Sequence, residues 1–253
     1  MDNKLKFYNE IYETLYKKHN YGGICTNLLN DSHYPGMFRY CINPSKIKFH
    51  SVLDIGCGPG IGLNYMAKDL GKLVCGIDPS RTAIDKVKRK GYKGKVASAT
   101  NIPYEDNSFD LVMSTDVIEH LLPSDQEEAH RECFRVSNRY IAHGISNTPE
   151  GYRPNKKQNL HLTCWKHDQW LEFFNDLNLN WNLIYYITPY IYNKILGKKR
   201  RYDPAVRARE GGKRDGDARI LGEDENYKNW IHHNTMVVFE KVVDIKERQN
   251  YLY

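Results

Sequence analysis

The sequence predicts an α/β fold: a mostly parallel, seven-stranded sheet, doubly wound with helices on both faces, its last strand antiparallel. Three observations predict it. Short apolar runs recur along the chain and alternate with segments of helical period. A glycine-rich turn, Gly56-Cys57-Gly58-Pro59-Gly60, joins the first run to the helix that follows. An acid, Asp78, ends the second run, 20 residues after Gly58.

The elements follow in order. Leu5, Tyr8, Ile11, Tyr12 and Leu15 are spaced as one face of an amphipathic helix. Residues 19–50 read as irregular, with Gly22-Gly23 and two prolines. Residues 1–50 therefore read as a helical cap or lid on a domain spanning 51–253. Ser51–Gly56 is a short apolar strand, and 61–70 a helix. Leu73–Asp78 is the second strand, and Ser80 caps a helix to about Lys90. Strands follow at 95–98 and 109–114, a helix at 126–136 and a fifth strand at 140–146. Thr163 is placed to cap a helix reaching about Leu177. Two late strands are expected at 181–188 and 235–243. No good helix precedes the second, which suits an antiparallel strand closing the sheet's edge. Residues 189–233 between them form a long polar insertion.

Composition narrows the setting. A chain of 253 residues with 40% hydrophobic residues can build one full α/β core. Nineteen tyrosines suggest amphipathic aromatic surfaces. Six cysteines occur without a CxxC pair, so they read as small buried thiols in a reducing, cytoplasmic setting. The polar start, Met1 to Lys6, leads into no apolar leader segment, and no apolar run reaches the ~18 residues of a membrane span. The net charge is +6, and one segment accounts for it: residues 194–219 hold ten basic and four acidic side chains. That marks a local anion-facing feature, a surface that RNA could use, on an otherwise balanced chain.

The glycine turn carries the chemistry. Glycines between a strand and a helix let the backbone turn sharply and approach a ligand closely. The dinucleotide pattern G-x-G-x-x-G fails here. Counted from Gly56 the sixth position is Ile61, and from Gly58 it is Leu63. No Gly-Lys-Ser/Thr follows, so the turn is not a P-loop. Asp54, at the end of the strand, is poor for cradling phosphate and suits a cationic or hydrogen-bond-donating ligand. Asp78 can accept bonds from both hydroxyls of a ribose.

These segments together resemble the class I S-adenosylmethionine (SAM)-dependent methyltransferases. Val52-Leu53-Asp54-Ile55-Gly56-Cys57-Gly58-Pro59-Gly60 is similar to the family's first motif, and Asp78 matches its ribose acid. Ala99–Val112 resembles the block A-x-x-L-P-F-x-D-x-S-F-D-x-V, and Asp116–Leu121 the signature D-V-L-E-H-L. The nearest likeness is to the ubiquinone-biosynthesis-like and sugar-methylating branch. The resemblance covers roughly residues 50–145 and implies a Rossmann-like sheet with SAM as cofactor. It implies cofactor contacts from Asp54, Gly56, Cys57, Gly58, Pro59, Gly60, Asp78, Pro79, Ser98, Ala99, Thr100, Thr115, Asp116 and Val117. One departure stands out: where the family often has an acid contacting the adenine amino group, this chain has Ser98.

On the acceptor side, His120 follows the fourth strand and His161 follows the fifth, where ligands gather in open α/β sheets. Both are candidate bases or substrate contacts for methyl transfer to an O or N of a small molecule or carbohydrate. Trp165 and Trp170 read as core, and Tyr8 and Tyr12 as packing with the option of a lid. Asp116, Glu119, His120 and His161 also resemble the metal site of small-RNA 3′-terminal 2′-O-methyltransferases, which would take Mg²⁺ or Mn²⁺. A third reading is a SAM- or nucleic-acid-binding module without catalysis.

Overall fold

The computed structural model describes residues 3–18, 37–147, 160–187, 191–193, 200–202, 207–208 and 234–242. Helix α1 (Asn3–Lys18) comes first. A π-helical turn, Phe38–Ile42, and a short helical turn, Asn43–Ser45, lead into β1 (Ser51–Ile55). Residues 37–45, expected to be irregular, are thus helical. Met37, Phe38, Cys41 and Ile42 explain this, because they are buried against the sheet.

Then come α2 (Ile61–Asn64), continued by a π-helical turn (Tyr65–Asp69), β2 (Leu73–Asp78), α3 (Arg81–Arg89) and β3 (Lys93–Val96). Next are β4 (Phe109–Thr115), α4 (Gln126–Val136), β5 (Ser137–Ser146), α5 (His167–Asp176) and β6 (Trp181–Ile187). Three short strands, β7 (Ile191–Asn193), β8 (Arg200–Tyr202) and β9 (Arg207–Ala208), precede β10 (Asn234–Lys241). Ser80 caps α3 as expected, its hydroxyl accepting from the Ala83 N–H at 3.2 Å. Thr163 does not cap α5. That helix starts at His167 after Lys166, and the Thr163 hydroxyl donates to the Leu121 carbonyl at 2.7 Å.

The main sheet runs β3-β2-β1-β4-β5-β10-β6-β9. Seven long strands make it, with two-residue β9 added at one edge. β10 is antiparallel to both β5 and β6. The last strand is therefore antiparallel, but it lies between β5 and β6 and does not close the edge. Apolar residues of β10 alternate to both faces, which is why it is an interior strand: Val237 and Phe239 join one core and Val238 the other.

The two cores lie on the two faces. α4 and α5 cover one with Ala129, Cys133, Trp170 and Phe174. α2, α3 and the 37–42 turn cover the other with Leu63, Met66, Ile84 and Val87. A central strand must feed both, so β4 alternates between Val112 on the first and Leu111 and Met113 on the second. Trp170 is fully buried and Trp165 packs against it, ring centroids 4.7 Å apart, in agreement with a core role. The five cysteines among the described residues are free thiols. No helix among the described residues is long and apolar enough to cross a membrane. Most of the 194–219 basic segment lies outside the described residues.

Candidate functional site

The strand order reverses at β1, with β2 on one side and β4 on the other. Such a switch point opens a crevice beyond the strands' carboxyl ends. The glycine turn sits there. Gly56, Gly58 and Gly60 have φ of +67°, +50° and +78°, a region costly for residues with a Cβ. At Gly56 the demand is double, since a Cβ would stand 2.4 Å from Val117 Cγ2.

Backbone and carboxylate bonds hold the turn in place. Cys57 N–H donates to the Ile77 carbonyl at 3.0 Å. Asp78 accepts the Gly58 N–H at 3.0 Å on Oδ2 and the Ser80 N–H at 2.8 Å on Oδ1. Each carboxylate oxygen keeps another lone pair for a ligand hydroxyl. Burial pushes the Asp78 carboxyl up to about 7, against the two N–H bonds, and the charge of Glu13 adds to the rise.

A cleft of about 570 Å³, part of it open to solvent, lies over this floor. Its lining includes Gly56, Asp78, Pro79, Ser98, Ala99, Asp116, Val117 and His120, eight residues expected at the site. Its roof is α1, which contributes Tyr8, Tyr12 and Tyr16 at a spacing of four. Tyr16 Oη stands 2.8 Å from where a Cβ on Gly58 would be, so the helix closes over the second glycine. Side chains dock α1 at several points. Glu13 accepts from Ser80 Oγ at 2.5 Å, Thr82 N–H at 3.0 Å and Thr82 Oγ1 at 2.7 Å, placing a carboxylate on the N-terminus of α3. Burial opposes its charge, but these bonds and Lys17 bring its pKa down to about 2. Asn9 Nδ2 donates to the Pro79 carbonyl at 2.6 Å, and Tyr8 Oη to Asp125 Oδ2 at 2.6 Å.

Sequence reasoning missed Glu13 and Tyr16. The signal for Tyr16 was present, because the helical period that groups Tyr8 with Tyr12 also adds Tyr16. Glu13 meets residues nearly 70 positions away, which no local pattern encodes.

His120 lines the same cavity, and His161 stands beside it. Asp116 has left-handed φ of +53° and donates its N–H to the Gly144 carbonyl at 2.9 Å. A 3₁₀ turn, Ile118–His120, follows. The carbonyl of Glu119 accepts the Leu162 and Thr163 N–H groups at 2.8 and 2.9 Å. This brings His161 beside His120, ring centroids 4.6 Å apart and nearly perpendicular. Tyr12 approaches His120 from the roof at 6.0 Å.

Burial, then neighbouring His161, lowers the His120 pKa to about 3, against a hydrogen bond with the Leu160 backbone. The imidazole is thus neutral, and its Nδ1 is buried without a hydrogen-bond partner among the described residues. Glu119, His120 and His161 each offer a ligand atom, all within 4.8 Å of one another, a set able to hold a divalent metal. Asp116 stands outside that cluster and lines the cavity instead.

The other expected residues support these walls without forming part of the cavity lining. Asp54 is fully buried in β1. Cys57, Pro59 and Gly60 complete the turn, and Lys90 Nζ donates to the Pro59 carbonyl at 2.7 Å. Thr100 and Thr115 are buried, and Thr100 bonds Ser98.

Residues 53–139 match the family model for a methyltransferase domain. Norajmaline N-methyltransferase from Rauvolfia serpentina is 34% identical over 138 residues, 48% of this chain and 46% of that protein. Methyltransferase GfsG from Streptomyces halstedii is 34% identical over 95 residues, 34% of each chain. The chain thus spans about half or less of the length of these curated relatives. A crystal structure of a SAM-dependent methyltransferase from Thermotoga maritima, described as a possible histamine N-methyltransferase, shares the fold. Its TM-score is 0.59 at 15% identity, over 92% of this chain and 99% of that one. The family match makes residues 53–139 a methyltransferase domain, and the Thermotoga structure shows that the chain around it shares that enzyme's fold.

Proposed function

We propose that this chain moves a methyl group from SAM to an O or N of a small-molecule or carbohydrate acceptor. One observation carries the reading: Asp78, Gly56 and His120 line a single cavity. SAM supplies an activated methyl on a sulfonium, so the protein's task is chiefly to align an acceptor lone pair with the S–CH₃ bond. Asp78 accepts the ribose hydroxyls, and Gly56 lets the chain pass close beneath the cofactor. The neutral imidazole of His120 accepts a hydrogen bond from the acceptor's O–H or N–H, with His161 beside it. The new C–N or C–O bond forms as C–S breaks, its electron pair stays on sulfur, and the acceptor's proton leaves to solvent. The N-methyltransferase name of the Rauvolfia relative supports nitrogen as the receiving atom. In this reading residues 1–50 are a cap, and 189–233 is an insertion within the 51–253 domain.

The test pairs calorimetry with mass spectrometry. S-adenosylhomocysteine should bind, and Asp78→Ala should abolish binding. Product mass from a panel of amines, phenols and sugars should rise by one methyl for at least one class. Full affinity in Asp78→Ala would refute the cofactor assignment. Binding with no transfer to any class would favour a non-catalytic module.

The cluster of Glu119, His120 and His161 favours a second reading, a divalent-metal-dependent RNA 3′-terminal 2′-O-methyltransferase. The three side chains would hold the ion, which would draw the terminal ribose hydroxyls toward the methyl. Transfer to RNA that ignores a chelator rules this out.

A further inference from the structure

Ala97, Ser98 and Ala99 form the cavity wall beside Asp78. With the ribose on Asp78 and the reacting end toward His120, the cofactor's base falls against this wall. The carboxylates lining the cavity are Asp78 and Asp116, and neither belongs to the wall. Its polar side chain is Ser98, 2% exposed. Ser98 Oγ accepts the Thr100 N–H at 3.2 Å and lies 2.8 Å from Thr100 Oγ1, where either hydroxyl can donate. One hydroxyl therefore donates to the other, and each oxygen has a partner inside its own turn.

That has a consequence for recognition. A buried site rejects an analogue lacking one polar group when its own partner group is left unpaired. Here both hydroxyl oxygens keep a partner if the ligand brings no donor. A carboxylate at this place would accept the amino group through a charge-assisted bond, whereas Ser98 offers at most one lone pair of a neutral hydroxyl.

We propose that the Ser98–Thr100 pair leaves the 6-amino group of the purine essentially unread, so this chain accepts cofactors altered at purine C6. The inference rests on the reading of the cavity as a SAM site. Cofactor affinity then comes from the ribose, the apolar faces of the base and the amino-acid end.

The test is calorimetric titration of the full chain with S-adenosylhomocysteine and with its counterpart lacking the 6-amino group. The wild type should bind the two within about fivefold, and Ser98→Ala should keep that ratio. Ser98→Asp should raise the preference for the adenosyl ligand above about twentyfold. A wild-type preference above about twentyfold overturns the inference while leaving the SAM reading intact. Failure of both ligands to bind the wild type overturns both. The wild-type ratio decides the matter even if Ser98→Asp does not fold.

Discussion

Gly56 and Tyr16 face the same cavity from opposite sides, one from a turn shaped by backbone and the other from a helix held by side chains. The floor is fixed by left-handed φ angles, by N–H bonds to Asp78 and by a 2.4 Å limit on any Cβ at Gly56. The roof is fixed by separate polar contacts from Lys4, Tyr8, Asn9 and Glu13. A backbone constraint fails as a whole, because one added carbon moves the entire turn. Side-chain latches fail one at a time. The contrast predicts that changes in the floor act on cofactor binding and changes in the roof on the docking of α1.

Gly56→Ala should show the largest effect. Strain at positive φ and the clash with Val117 should cost about 2–4 kcal/mol of stability and remove measurable S-adenosylhomocysteine binding. Thermal unfolding and calorimetry check this, and a variant that binds within threefold would break the contrast. Asp78→Asn comes next. It sets an amide donor against one of the two N–H groups that now donate to the carboxylate, and should weaken S-adenosylhomocysteine by about 30-fold or more.

Asp78 also sets a pH dependence. In the ligand-free protein its carboxyl titrates near 7 instead of the ordinary 3.8. Its contribution to folding stability is thus fully present below about pH 4 and lost as pH rises through about 7. Ligand binding runs the other way, because ribose hydroxyls donate to the ionised form. Affinity should weaken from pH 8 to pH 6, by at most about tenfold per unit, with protons released on binding. Buffers of different ionisation heat measure that release, which Asp78→Asn should abolish.

The roof should respond more gently. Glu13→Gln should loosen α1 by about 1–2 kcal/mol, seen as faster amide exchange across residues 3–18 with the core unchanged. Glu13 is held well below the ordinary carboxylate range, so its stabilisation is present above about pH 4.5 and fades only as pH falls through about 2. Tyr16→Phe should be smallest, leaving affinity within about threefold. If it matches Gly56→Ala, floor and roof are one unit.

The floor was legible in the sequence because its parts are local. β1 and β4 read as apolar runs since they are buried on both faces, and three glycines in five residues announce a turn. Ser80 declared the start of α3 for the same reason. The roof was half legible: Tyr8 and Tyr12 marked a face, but nothing near Glu13 points to Ser80 and Thr82. Thr163 shows how a local rule is outbid. Its hydroxyl meets the Leu121 carbonyl across the chain, and the helix it would have capped begins later. The interior place of β10 depends on pairing with strands 50 to 100 residues away, so its apolar pattern gave a strand without an address.

The loop bearing His161 hangs on the Glu119 carbonyl through the amides of Leu162 and Thr163. Those two bonds engage no side chain, and the Thr163 hydroxyl adds a side-chain tie, to the Leu121 carbonyl. The attachment works as a socket: loops of other composition that keep a hydroxyl at position 163 could plug in beside His120. Changes of acceptor could then arise by exchanging this one segment, with the rest of the domain left as it is.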